Sequence, residues 1–133
     1  MSDHFRLHAP LIALGRTTIA SLFLLGGINK LLNYGATLES MERVGLEPAT
    51  VLLPAVIALE LVGGALVAIG RIYAAPAAIA LAIFTLAANV FFHDFWNASD
   101  DLAALELSLF FKNVSIAGAL IYVAGVCLPS TKS

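Results

Sequence analysis

The sequence predicts an all-α integral membrane protein: a bundle of four transmembrane helices with both termini cytoplasmic. Three observations carry this reading. First, 60% of the 133 residues are hydrophobic and 12% are charged, with a mean hydropathy of +0.94. A soluble domain of this size leaves much of its chain exposed and needs far more polar surface. Second, four apolar runs, about 11–32, 50–69, 72–92 and 102–128, approach or exceed the ~20 residues that a bilayer core demands of a helix. Third, Arg6, Arg71 and Lys132 fall on one side of those runs. Arg43 falls on the other, with Glu39, Glu42, Glu47, Asp94, Asp100 and Asp101. The positive-inside rule then places both termini in the cytoplasm.

The length leaves room for a single transmembrane domain, 1–133, and no sizeable soluble part. A net charge of −2 without any basic block argues against nucleic acid as a partner. Cys127 is alone, which excludes an internal disulfide or a CxxC redox pair, and it reads as a small apolar residue at a helix end.

The first span, Leu11 to Leu32, is too long for a signal-peptide core, carries Arg16 and Lys30, and precedes no A-x-A site. A polar loop, 33–49, follows and ends in GLEPA, where Pro48 suits the first turn of the second span. GRI at 70–72 is a tight turn, so the second and third spans form an antiparallel hairpin. HDFWNASDD, 93–101, is an acidic loop whose aromatics belong at a membrane interface before the fourth span.

Ionisable groups inside a membrane are costly and face the bundle interior, so their spacing predicts which faces meet. Arg16, Ala20, Phe23, Gly27 and Lys30 form one helical stripe in the first span. Val56, Glu60, Gly63, Gly64 and Val67 share a face of the second, where glycines permit close packing. Ala78, Ala82, Thr85, Asn89 and His93 align in the third, and Ser108, Lys112, Ser115 and Ala119 in the fourth. Asn113 adds an amide on the adjoining face. At ~1.5 Å per residue, Glu60 and Lys112 fall at nearly equal depth. The expected contacts are Lys112 with Glu60 and Lys30 with Glu106, with Arg16 reaching toward Glu60 by snorkelling. A second polar layer, nearer the loops, collects Asn29, Lys30, Asn89, His93 and Glu106.

These nine residues, Arg16, Asn29, Lys30, Glu60, Asn89, His93, Glu106, Lys112 and Asn113, are the candidate ligand-binding set. Either they bind a ligand or they specify the packing of the bundle; the sequence leaves both readings open. The surplus of cations over acids among them favours an anionic or carbonyl-bearing ligand. His4 and His8 are too few to make a metal site, and His93 falls on the opposite side of the membrane. No metal or covalently bound cofactor is therefore expected. With no CxxCH, phosphate loop or flavin fingerprint, the chain has no self-contained catalytic or redox-centre motif.

Arg16 through GINK (27–30), ALELVGGALVAIGR (58–71), ANVFFHDFW (88–96) and FFKNVSIAGALI (110–121) form an ordered set. This set resembles the DoxX family of small bacterial inner-membrane proteins, most closely its YphA-like branch. The resemblance covers about Leu11 to Gly125. It implies a four-span bundle in the bacterial inner membrane and an association with electron transfer. The family takes its name from a quinol oxidase subunit, and relatives are linked to thiosulfate:quinone oxidoreduction and to membrane oxidoreductase complexes. The expectation is an accessory or quinone-interacting subunit, with quinone as its ligand and other oxidoreductase subunits or a homo-oligomer as partners. A small-molecule or ion transporter working as an oligomer, and a membrane assembly scaffold, are the alternatives. The family carries over no catalytic residue.

Overall fold

The structure is a computed structural model, and it describes residues 8–129. His4, Arg6 and Lys132, which entered the metal and orientation readings above, lie outside the described residues. Helix α1 runs Ala9–Leu32, α2 Tyr34–Arg43, α3 Ala49–Ile69, α4 Ala74–Phe92 and α5 Asp100–Cys127, with a 3-10 turn at Phe95–Asn97. Four of them, α1, α3, α4 and α5, are long and apolar enough to cross a membrane. Their bounds agree with the predicted spans to within a few residues.

The chain passes up and down, so the start of α1, the turn after α3 and the end of α5 share one end of the bundle, here the termini end. The connections at 33–48 and 93–99 share the other, the loop end. Consecutive long helices pack on each other, α1 on α3, α3 on α4 and α4 on α5, whereas α5 touches α1 only lightly. The core is built from small and medium side chains, with Ala20, Val67, Ala78, Leu81, Leu120 and Ala124 all buried. Small residues suit this setting, because in lipid helices associate by close packing rather than by the hydrophobic effect. A Cβ on Gly63 would lie 3.2 Å from Leu81, and one on Gly64 would lie 3.1 Å from Leu24, so both glycines mark close helix crossings.

Three of the four predicted faces turn inward as read. Ala20, Phe23 and Gly27 are buried on α1; Glu60, Gly63, Gly64 and Val67 on α3; Ala78, Ala82, Thr85 and Asn89 on α4. The fourth does not. Ser108, Lys112 and Ser115 are exposed, and α5 buries Ala117, Leu120, Val123 and Ala124, with Asn113 half-buried on the same side. The polar stripe was misleading because helix α5 is held to α4 by alanines and one amide, which pack closer than a lysine stripe allows.

The depth of Lys112 is also corrected. Gly63 lies against Leu81, which sets Glu60 level with Phe84. Asn113 bonds Asn89, and His93 meets Glu106, which sets Lys112 level with Ala88. Lys112 is therefore about one helical turn, ~6 Å, nearer the loop end than Glu60. Nearby, Phe95 and Trp96 pack edge-on against Phe110, at centroid distances of 5.2 and 5.8 Å. An outward lysine close to an aromatic cluster is placed to snorkel to the interface rather than to pair in the core.

Helix α2 lies where the sequence suggested only a polar loop. Its Tyr34, Leu38 and Met41 recur at helical spacing, and Met41 is buried with Ala49, Leu53 and Ile57 of α3. Its charged residues, Glu39, Glu42 and Arg43, stay exposed. The period was legible, but the low hydropathy of the segment concealed it.

The turn between α3 and α4 depends on Gly70, whose φ is +91°. A Cβ there would stand 2.8 Å from the Arg16 guanidinium carbon. Gly70→Ala is expected to destabilise the bundle by about 1–3 kcal/mol, through backbone strain and displacement of Arg16. Thermal unfolding in detergent measures it, and an unchanged midpoint would contradict this account.

Candidate functional site

The polar residues of the interior concentrate in the loop-end half of the bundle. Glu60 occupies the face of α3 that also carries Gly63 and Gly64, so it is drawn in where helices approach closely. Gly26 of α1 makes room for it: a Cβ there would lie 3.5 Å from both carboxylate oxygens. Lys30, one turn further along α1, reaches back and donates from Nζ to Glu60 Oε1 at 3.0 Å. The acid is 6% exposed at its side chain and the lysine 27%, so the carboxylate is the desolvated partner. Its second oxygen, Oε2, is buried and has no hydrogen-bond partner among the described residues.

A second polar group links α4 to α5. Asn89 is 1% exposed and donates from Nδ2 to the Phe110 carbonyl at 3.0 Å. Its Oδ1 accepts from Asn113 Nδ2, also at 3.0 Å. Near the end of α4, His93 Nδ1 lies 2.8 Å from Glu106 Oε2.

Between these groups lies a cavity of about 590 Å³ with contributions from all five helices. Phe23, Val56, Phe84 and Phe92 are among its apolar walls, and Met41 brings in α2. Its polar lining includes Lys30, Glu60, Asn89, His93 and Asn113. Leu22, Phe91 and Phe92 are 49%, 42% and 37% exposed, so the cavity opens to the outside of the bundle. Volume and lining are those of a small-molecule site: a mostly apolar hollow with a few converging polar groups.

Five of the nine predicted residues thus meet around one space, and four do not. Arg16 sits at the other end of the bundle, with Nε and Nη2 3.4 Å from the Ala68 carbonyl. Asn29 is exposed, and its side-chain oxygen accepts from Asn33 at 2.9 Å. Glu106 meets His93 rather than Lys30, and Lys112 points outward. The expected pairs are therefore exchanged: Glu60 takes Lys30, the cation that α1 presents beside it, and Glu106 takes His93, one turn beyond Asn89. Gly26, Met41 and Phe84 were missed. Gly26 stands one turn before Lys30, and only the contact with Glu60 gives it a role.

The family profile of DoxX matches residues 11–94, more than half of the chain. The chain belongs to the DoxX family. The matched region of DoxX covers α1 to α4 and includes Lys30, Glu60, Asn89 and His93. The chain is also 25% identical over 114 residues to the inner membrane protein YphA of Escherichia coli (strain K12), which covers 86% of this chain and 81% of the relative. No solved structure matches significantly. With four membrane-length helices, this DoxX protein is a multi-pass protein of the inner membrane and sits in the lipid bilayer.

Proposed function

We propose that this DoxX protein is an accessory subunit of an inner-membrane oxidoreductase system, and that its loop-end cavity holds the head of a quinone. The observation that carries the reading is the orphaned Oε2 of Glu60, buried at an apolar cavity beside a lysine. A buried carboxylate oxygen without a donor is costly, and a hydroxyl placed against it removes that cost. A quinol hydroxyl donates to Oε2, and Lys30 Nζ donates to a carbonyl oxygen of the oxidised form. Charge-assisted bonds of this kind are stronger than neutral ones. Apolar walls from Phe23, Phe84 and Val56 suit a ring, and the opening toward the bundle surface suits an apolar tail. The quinone itself would supply the redox chemistry; the protein's residues bind, orient and exclude water.

A short-tailed ubiquinone analogue titrated into the purified protein is expected to raise its melting temperature. Glu60→Gln is expected to weaken that binding by about tenfold or more, or ~1.4 kcal/mol per factor of ten. A wild-type midpoint unmoved by saturating analogue would sink the proposal. Solute flux into proteoliposomes that disappears in Glu60→Gln would instead favour transport. Neither binding nor flux would leave scaffolding.

A further inference from the structure

The geometry points to a second site, for an anionic phospholipid, in the groove between the start of α1 and the end of α5. This groove is a separate cavity of about 260 Å³ at the termini end, and Arg16 lines it together with Ile12, Ile19, Tyr122 and Val126. Arg16 forms no ion pair among the described residues. Its bonds to the Ala68 carbonyl, from Nε and Nη2, are long, 3.4 Å each, and Nη1 has no partner among the described residues, which leaves donors of the guanidinium available to an anion. Among the described residues, no carboxylate lines the groove.

Depth selects the ligand. Arg16 packs against Gly70, where α3 ends, so its charge lies at the edge of the membrane-spanning part of the bundle. That is the level of lipid phosphates, and it is the end that the positive-inside bias predicts to be cytoplasmic. Arg71 is exposed in the adjacent turn and adds a second positive charge. The walls of the groove are apolar and open: Ile12, one turn nearer the termini end than Arg16, Val126 near the end of α5, and Tyr122, one turn deeper, are 37%, 43% and 74% exposed. Gly15 adds width, since nothing lies within 4 Å of where its Cβ would stand. A phosphate on Arg16 with its glycerol beside Val126 and its upper acyl chain against Ile19 and Tyr122 fills both parts of the groove. A second copy of the chain bringing this same face would set Arg16 against Arg16. The lipid also joins α1 to α5, the adjacent long helices that touch least.

The test compares phosphatidylglycerol, phosphatidylcholine and inorganic phosphate, each added to the delipidated protein, with native mass spectrometry and thermal unfolding as readouts. Phosphatidylglycerol is expected to remain bound and to raise the melting temperature, while phosphatidylcholine and inorganic phosphate do neither. Arg16→Gln is expected to lower the affinity for phosphatidylglycerol by about tenfold, the loss of one charge-assisted contact. Because Arg16 also bonds Ala68, a second variant, Val126→Trp, fills the apolar part and leaves the cation in place; it should lose the lipid as well. Equal retention of the two lipids overturns the proposal, as does full retention of phosphatidylglycerol by either variant. A shift given by inorganic phosphate alone reduces the groove to an anion site and overturns the lipid.

Discussion

Lys30→Met is expected to destabilise the bundle more than Glu60→Gln, although each removes one half of the same ion pair. The asymmetry follows from burial. With Lys30 gone, the Glu60 carboxylate stays in place, 6% exposed, with neither oxygen bonded to a side chain of the interior. Leaving a buried charge unpaired costs about 3–5 kcal/mol in soluble proteins, and the cost here is expected near the lower figure because the cavity opens outward. With Glu60 neutralised to Gln, the lysine remains, but it is 27% exposed and lies two residues from the end of α1. It can swing toward the interface and recover its hydration. The double variant Lys30→Met/Glu60→Gln carries no stranded charge and should recover most of the loss. Unfolding midpoints in a mild detergent order the three proteins. If Glu60→Gln proves the least stable, burial has been misjudged as the deciding factor. The double variant also separates structure from function: a folded protein that no longer takes up the quinone analogue shows that the pair serves a ligand as well as the packing.

The spans were legible because membrane helices announce themselves by length and hydropathy, and neither depends on tertiary contact. The inward faces of α1, α3 and α4 were legible for a related reason. Each carries small residues and polar residues on one stripe, such as Ala78, Ala82, Thr85 and Asn89, so both cues agree. On α5 the cues conflict. Ser108, Lys112 and Ser115 mark one face, Ala117 and Ala124 another, and packing followed the small side chains. Lys112 escapes the cost of facing lipid because it lies nearer the loop end than counting from the start of the apolar run suggests. Helix α5 begins at Asp100, and the level of His93, just past the end of α4, is already reached at Glu106. Such an overhang is a property of how α4 and α5 are registered, which no single-helix pattern contains.

Which polar residues line the cavity was legible in the sequence more than how they pair. Lys30, Glu60, Asn89, His93 and Asn113 all line the cavity, yet each predicted partner was exchanged. Partner choice depends on which helices are neighbours, and α3 lies beside α1 and α4 rather than α5. That ring order puts Lys112 out of reach of Glu60 and gives the acid to the first helix. Arg16 shows the same limit in reverse: its stripe on α1 is correct, but the stripe runs the length of the bundle and serves a different end.

Gly64→Val is expected to cost more than Gly27→Val, although distances alone rank them the other way. A Cβ on Gly27 would lie 2.7 Å from Leu61 Cδ2, and one on Gly64 would lie 3.1 Å from Leu24 Cγ. The nearer contact is the more forgiving. At Gly27 the close atoms are Leu61 Cδ2 at 2.7 Å and Cγ at 2.8 Å, both on a half-exposed side chain that moves them away by changing its χ1 rotamer, with no backbone atom among the nearest. At Gly64 the Leu24 backbone nitrogen stands 3.3 Å away, and a helix backbone yields only by moving the whole helix. Overpacking costs about 1–3 kcal/mol where neighbours can adjust, so Gly27→Val belongs near the bottom of that range and Gly64→Val at the top or above it. The consequence reaches the cavity. Gly64 holds α1 against α3, and the same contact line, four residues earlier on α3, brings Gly26 against the Glu60 carboxylate. Moving α1 outward lengthens the Lys30–Glu60 bond and exposes Oε2 to the outside of the bundle. Gly64→Val should therefore lower both the unfolding midpoint and the affinity for the quinone analogue, whereas Gly27→Val should lower the midpoint slightly and leave binding within about twofold of wild type. A Gly64→Val protein that unfolds early yet binds with unchanged affinity would show that the Lys30–Glu60 geometry does not depend on the α1–α3 crossing.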